Sequence, residues 1–256
     1  MVIEPGTVLA SEDDRYVVRE ALAHDDEGTR YRARTERNER EVVLEVRTLG
    51  SRDPDEARAD LAREIDLLET VSHPNVPTFY EAFPLETDGT LHAFVLVHEH
   101  LDGLSLETLR RQGRTLSPRE MRSWFSQILG VLAHLQMQCT PIRMRHVAPS
   151  TVWIRSDRES FLVGLGSDRA TERTADLRGL ALTYLSMASS QSCAELDEAP
   201  LDASSHLAPD DALRDVIEAM LDPDPLARLV DAQAALDRVA QLRSPSRAPS
   251  PLDPRT

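Results

Sequence analysis

The hydrophobic period of this 256-residue chain changes once, near residue 104, and that change divides it into two kinds of structure. Before it, residues 15–34 and 39–48 alternate apolar and polar side chains. The run Glu41-Val42-Val43-Leu44-Glu45-Val46-Arg47 has the β-branched alternation of a half-buried strand. One amphipathic helix interrupts the pattern over 54–71, where Leu61, Ile65, Leu68 and Val71 recur at helical spacing, and His73-Pro74-Asn75 breaks it. Two strands are predicted over 78–83 and 91–97, joined by the acidic turn Glu86-Thr87-Asp88-Gly89. Beyond 104 the pattern is helical. Ser117-Pro118-Arg119-Glu120 is a capping box with proline at the first helical position. Behind it Met121, Trp124, Phe125, Ile128, Leu132 and Leu135 form one apolar stripe, which reads as core packing. Short strands are expected at 152–155 and 161–163, a buried helix at 176–187 and two final helices at 210–221 and 231–242. The polar stretch 188–208 reads as loop, and the Pro/Ser-rich tail from Ser244 reads as disordered.

Composition narrows the chemistry. The chain has no lysine, so all 29 Lys+Arg residues are arginine. A Walker-type phosphate loop and Schiff-base chemistry both require lysine, and a planar guanidinium does not substitute freely for an ammonium. Hydrophobic residues make up 41%, enough for a core. The net charge of −15 disfavours nucleic acid and anionic membrane as partners, since both need positive potential. Cys139 and Cys193 show neither C-x-x-C nor metal spacing and read as reduced thiols. No signal peptide opens the sequence, and no apolar run approaches the roughly 20 residues that span a bilayer. These features give a cytoplasmic expectation without membrane insertion.

The order of elements resembles that of a protein kinase, and landmarks fall at matching places. Tyr31-Arg32-Ala33-Arg34 resembles the end of the glycine-loop strand, and Val42-Val43-Leu44-Glu45 stands where the family has Val-Ala-Ile-Lys. Arg63-Glu64-Ile65 with Leu68, then His73-Pro74-Asn75-Val76, resembles the regulatory helix and the turn after it. His98-Glu99-His100-Leu101-Asp102-Gly103 is similar to the hinge, and Asp176-Leu177-Arg178-Gly179-Leu180 to the start of the buried central helix. Leu221-Asp222-Pro223-Asp224-Pro225-Leu226-Ala227-Arg228 is similar to a late family signature. The resemblance implies an α+β, bilobal fold close to bacterial Ser/Thr kinases. It divides the chain into an N-terminal extension (1–14), an N-lobe (15–98), a C-lobe (99–243) and a tail (244–256), with a much shortened activation segment.

Carried over residue by residue, the resemblance meets departures at the chemistry. The phosphate-covering loop, Ala23-His24-Asp25-Asp26-Glu27-Gly28, keeps one glycine and brings carboxylates where phosphates would lie. Glu45 replaces the strand lysine while its helix partner is kept as Glu64, so two carboxylates face each other. They would raise a pKa, push the helix outward, or be bridged by an arginine or a metal. The other reading of Glu64 is a solvated helix residue. In the catalytic loop His146 replaces the base aspartate, Ala148 the lysine and Thr151 the metal-binding asparagine; Gly164 replaces the metal-binding aspartate. Arg228 loses its family partner and needs another, or water. From these departures the chain is expected to be no enzyme, to need no cofactor or metal, and to bind ATP weakly or not at all. It is expected to act as a protein-binding scaffold or allosteric regulator. The alternative is a small-molecule or nucleotide sensor that uses the inter-lobe cleft near the hinge residues Glu99, His100 and Leu101.

Overall fold

The computed structural model describes residues 2–25, 28–49, 53–87, 90–138, 147–165, 175–189, 191–198, 205–207, 211–224 and 226–242. The first part is a six-stranded antiparallel sheet curled into a half-barrel. Its strands are β1 (Val8–Ala10), β2 (Arg15–Asp25), β3 (Gly28–Thr35), β4 (Glu41–Thr48), β5 (Phe79–Thr87) and β6 (Thr90–Glu99), in the spatial order β1-β2-β3-β4-β6-β5. Period-two patterning sorts the faces. Val42, Leu44 and Val46 of β4 and Tyr31 and Ala33 of β3 point into the barrel, joined by Ile3, Leu9, Tyr16, Val18, Val95 and Val97. The curl brings the two edges together. Ser11 Oγ donates to Glu81 Oε1 at 2.9 Å, the Tyr16 hydroxyl bonds the same carboxylate, and the Tyr16 and Phe83 rings stack at 5.8 Å. Residues 2–14 are part of this body. β1 pairs with β2, and the Ile3 N–H donates to the Tyr31 hydroxyl at 3.0 Å.

Helix α1 (Pro54–Thr70) lies between β4 and β5 in sequence. Asp53 caps it through the amides of Asp55 and Glu56, and proline opens its first turn. The helical part follows: β7 (Gly103–Ser105), α2 (Leu106–Arg111), α3 (Pro118–Gln136), β8 (Val152–Arg155), β9 (Ser160–Leu162), α4 (Ala175–Ala188), α5 (Cys193–Glu198), α6 (Arg214–Leu221) and α7 (Ala232–Gln241). The capping box at Ser117 and Glu120 forms as the spacing predicts, and the whole α3 stripe is buried. This mixed architecture is the expected α+β kinase-like fold.

Helix α5 corrects the reading of 188–208 as loop. Ser192 and Glu195 close a capping box there, with Ser192 N–H donating to Glu195 Oε2 at 2.6 Å and Glu195 N–H to Ser192 Oγ at 3.3 Å. The predicted helix at 210–221 begins at Arg214. Residues 166–174 of the shortened activation segment expected between Gly164 and Asp176, Cys139 and the tail from Ser244 lie outside the described residues. No described helix is long and apolar enough to cross a membrane.

Candidate functional site

The face of β4 opposite the barrel interior carries Val43, Glu45 and Arg47 toward α1 and the helical part. Glu45 and Arg47 share that face because they are two residues apart. Arg47 spans the gap between strand and helix. Its Nε donates to Glu45 Oε1 at 2.6 Å and its Nη1 to Glu64 Oε2 at 2.5 Å. The three side chains are 16%, 15% and 7% exposed. The two carboxylates therefore do not confront each other across the cleft, because one guanidinium holds both. Of the three arrangements open to such a pair, the structure shows the arginine bridge, and Glu64 is buried rather than solvated. The cation of the strand–helix ion pair has moved two residues along the strand, about 7 Å.

The electrostatics follow from this geometry. Burial alone pushes the Glu45 carboxyl up, but Arg47, then His98 and Arg30, hold it below its ordinary range. Burial would pull the Arg47 guanidinium down; Glu45 and Glu64 outweigh it and push it up. Arg30 lies directly across from Glu45 on β3. His98, across from Val43, is held below the ordinary histidine value chiefly by burial, with Glu45 opposing and Arg47 and Arg30 adding. Its ring stands 5.5 Å from Phe79.

Gly28, the glycine that survives in the phosphate-loop stretch, has a packing reason to be there. A Cβ on it would lie 2.1 Å from the Val46 carbonyl oxygen of the neighbouring strand. Ala23 is an exposed residue of β2, and the backbone of Asp25 ends that strand opposite Gly28. Asp26 and the Asp25 side chain lie outside the described residues, as does His146.

Below the cleft, the chain re-enters at Val147. Helix α4 packs so closely there that a Cβ on Gly179 would meet the Val147 carbonyl oxygen at 2.7 Å, and Thr183 Oγ1 donates to the same oxygen at 3.4 Å. Ala148 and Thr151 then close a tight turn. The Thr151 hydroxyl donates to Ala148 O and accepts from Ala148 N–H, each at 3.0 Å. Val163 N–H donates to Thr151 O at 2.9 Å, which sets Gly164 beside Thr151. The two positions that hold metal in the resemblance are thus adjacent, and they present a hydroxyl engaged in a turn and no side chain. Among the described residues no group of three or more His, Cys, Asp or Glu is placed to hold a metal ion.

At the hinge, Glu99 Oε2 accepts from the Thr78 backbone and hydroxyl at 3.1 and 3.2 Å, tying β6 to the start of β5. His100 is half-buried and Leu101 buried. Arg228 finds its partners locally: Nε donates to Asp222 O at 2.8 Å and Nη2 to Pro223 O at 3.4 Å. Two residues were missed from sequence. Arg47 was legible in the i, i+2 spacing from Glu45. Trp153, on the face of β8 opposite Val152 and Ile154, holds a buried Nε1 without a hydrogen-bond partner among the described residues, and nothing in the sequence announced it.

The sequence matches the family model of the protein kinase domain over residues 16–150, more than half of the chain. This chain belongs to the protein kinase domain family. Among its relatives, the serine/threonine-protein kinase WNK4 of Rattus norvegicus is 30% identical over 107 residues, 42% of this chain and 9% of that protein. The serine/threonine-protein kinase pkpA of Phycomyces blakesleeanus is 33% identical over 109 residues, 41% of this chain and 16% of that protein. The serine/threonine-protein kinase-like protein E of Synechocystis sp. is 28% identical over 186 residues, 68% of this chain and 29% of that protein. The kinase domain spans less than a third of the length of each of these relatives. These matches correct the expectation that the chain is no enzyme. What it resembles in sequence are protein kinases, which are phosphoryl transferases.

Proposed function

We propose that this kinase domain regulates a protein partner through the face carried by α1, a helix its own chain holds in position. The observation that supports this reading is the Arg47 bridge to Glu45 and Glu64, which is complete within the protein. In protein kinases the strand–helix ion pair must be in place for the active arrangement. Here both acceptors of that pair are internal, so α1 needs no bound phosphate to stay against the sheet. ATP affinity is low in this reading, because Glu45 occupies the cation position and Thr151 and Gly164 offer no carboxylate for magnesium. The natural partner class is a related kinase or another component of the same signalling route; this part rests on fold analogy.

The test is capture from extracts of the native host by the full chain and by variants on the exposed side of α1. Arg63→Ala and Asp66→Ala leave the bridge intact. They are expected to release the partner while the melting temperature holds. Equal capture by wild type and variants, or no capture at all, contradicts the proposal.

A second reading, a small-molecule sensor, draws on Trp153 of the small sheet β7-β8-β9. A buried N–H without an acceptor is costly to leave unmade, and a ligand carbonyl or ring nitrogen beside it would repay that cost. A metabolite that raises the melting temperature of the wild type and not of Trp153→Phe would move the function to this reading.

A further inference from the structure

The turn that follows α1 carries His73 against His134 of α3, with ring centroids 5.2 Å apart. Each ring is held as a hydrogen-bond acceptor. The Asn75 N–H donates to His73 Nδ1 at 3.1 Å, and the Gln138 side-chain amide nitrogen lies 2.9 Å from His134 Nε2. An imidazole that accepts at one nitrogen is neutral, with its proton on the other. A second proton would have to enter at the accepting nitrogen, where it would face an N–H donor. Two imidazolium rings at this separation would also repel each other.

The same turn ties the sheet part of the molecule to the helical part. Asn75 Nδ2 donates to Ser160 O at 2.9 Å and to Gln127 Oε1 at 3.3 Å, and Leu162 N–H donates to Asn75 O at 2.9 Å. Gln127 Oε1 also accepts from Ser160 N–H at 2.8 Å. Val76 is buried in the core that α1 shares with α3 and α4. The histidine pair therefore sits on the joint through which α1 is docked.

We propose that His73 and His134 form an acid-sensitive latch between the two parts of the kinase domain. With the His73 ring neutral, the turn is clamped onto α3 and β9. Proton uptake at His73 Nδ1 breaks the bond from Asn75 N–H, sets the ring against His134, and loosens the turn and the end of α1. Among the described residues no carboxylate acts on His73. The ionisable group acting on His73 is His134, and the residues about one turn from His134, Gly130 and Val131 on α3 and Met137 and Gln138 just past its end, are uncharged. Burial and His134 both hold His73 below the ordinary histidine value, in keeping with the neutral pair.

The test is residue-resolved amide exchange of the full chain between about pH 7.5 and 5.5, corrected for intrinsic exchange. In the wild type, protection across 68–76 should fall about tenfold per pH unit once a ring titrates, while β3 and β4 keep theirs. His73→Asn retains an acceptor near the Nδ1 position without a titrating group, and His134→Gln does the same near Nε2. Each variant should flatten the slope at 68–76. A wild-type slope retained in both variants, or a fall shared equally with β3 and β4, overturns the latch.

Discussion

At Arg47 one guanidinium satisfies two carboxylates in a partly closed space, and that arrangement sets what substitutions there will do. Removing the cation leaves the Glu64 carboxylate, at 7% exposure, buried without the guanidinium charge. Arg47→Met should therefore cost about 3–5 kcal/mol in urea denaturation. Arg47→Lys keeps the charge but loses the fork that reaches both acceptors, and should cost less. Glu45 and His98 give the site a pH dependence of one sign. Glu45 has a lowered folded value, so its contribution is present above the ordinary 4.5 and is lost as pH falls through the lowered value. His98 is also lowered, favouring the neutral ring; its contribution is complete above the ordinary 6.5 and is lost as pH falls below it. The melting temperature should drop on acidification below about pH 6.5, and His98→Phe should remove the upper part of that drop. An unchanged profile in the variant would assign the loss to other groups. Sequence reasoning reached Glu45 and Glu64 because a known ion pair marks both positions. It passed over Arg47 because strand geometry, not residue identity, decides which neighbour faces the helix.

Among the elements, the glycines that survive do so for backbone contacts. Gly28→Ala would drive a methyl into the Val46 carbonyl oxygen, so it should destabilise the β3–β4 pair whether or not nucleotide is present. Equal stability of Gly28→Ala and wild type would remove that explanation. Ser117→Ala should cost about 1 kcal/mol through loss of the α3 cap, read by thermal melts. Long periodic elements were legible: β4, α1 and the α3 stripe follow from alternation, helical spacing and capping chemistry. Short ones were not. β1 has three residues and owes its pairing to β2. α5 has six residues, and its one local signal is the Ser192-x-x-Glu195 spacing. Positions such as Thr151 and Gly164 came together only through the β8–β9 pairing, a tertiary fact that no local pattern contains.

Among the described residues of the whole molecule, two hydrophobic cores do not follow the boundary between sheet and helices. The barrel interior is one. The other runs from Ala57 and Leu68 of α1, with Val76, Phe94 and Leu96, into α3, α4, α6 and α7. Helix α1 packs on β5, its buried side chains belong to the core that continues into the helical part, and Arg47 ties it to β4. In amide exchange under increasing denaturant, protection of 57–68 should be lost together with α3 and apart from β2–β3; loss in step with the barrel would contradict this division. The measurement that bears most directly on the account is a double-mutant cycle between Arg47 and Glu64. Arg47→Met, Glu64→Gln and the double variant would be compared in urea denaturation at neutral pH without nucleotide. The account predicts a coupling of about 2–3 kcal/mol, because Arg47→Met leaves the Glu64 carboxylate buried without the guanidinium and Glu64→Gln removes that cost. Additive losses would mean that Arg47 does not hold α1, and the internally latched helix would have to be given up.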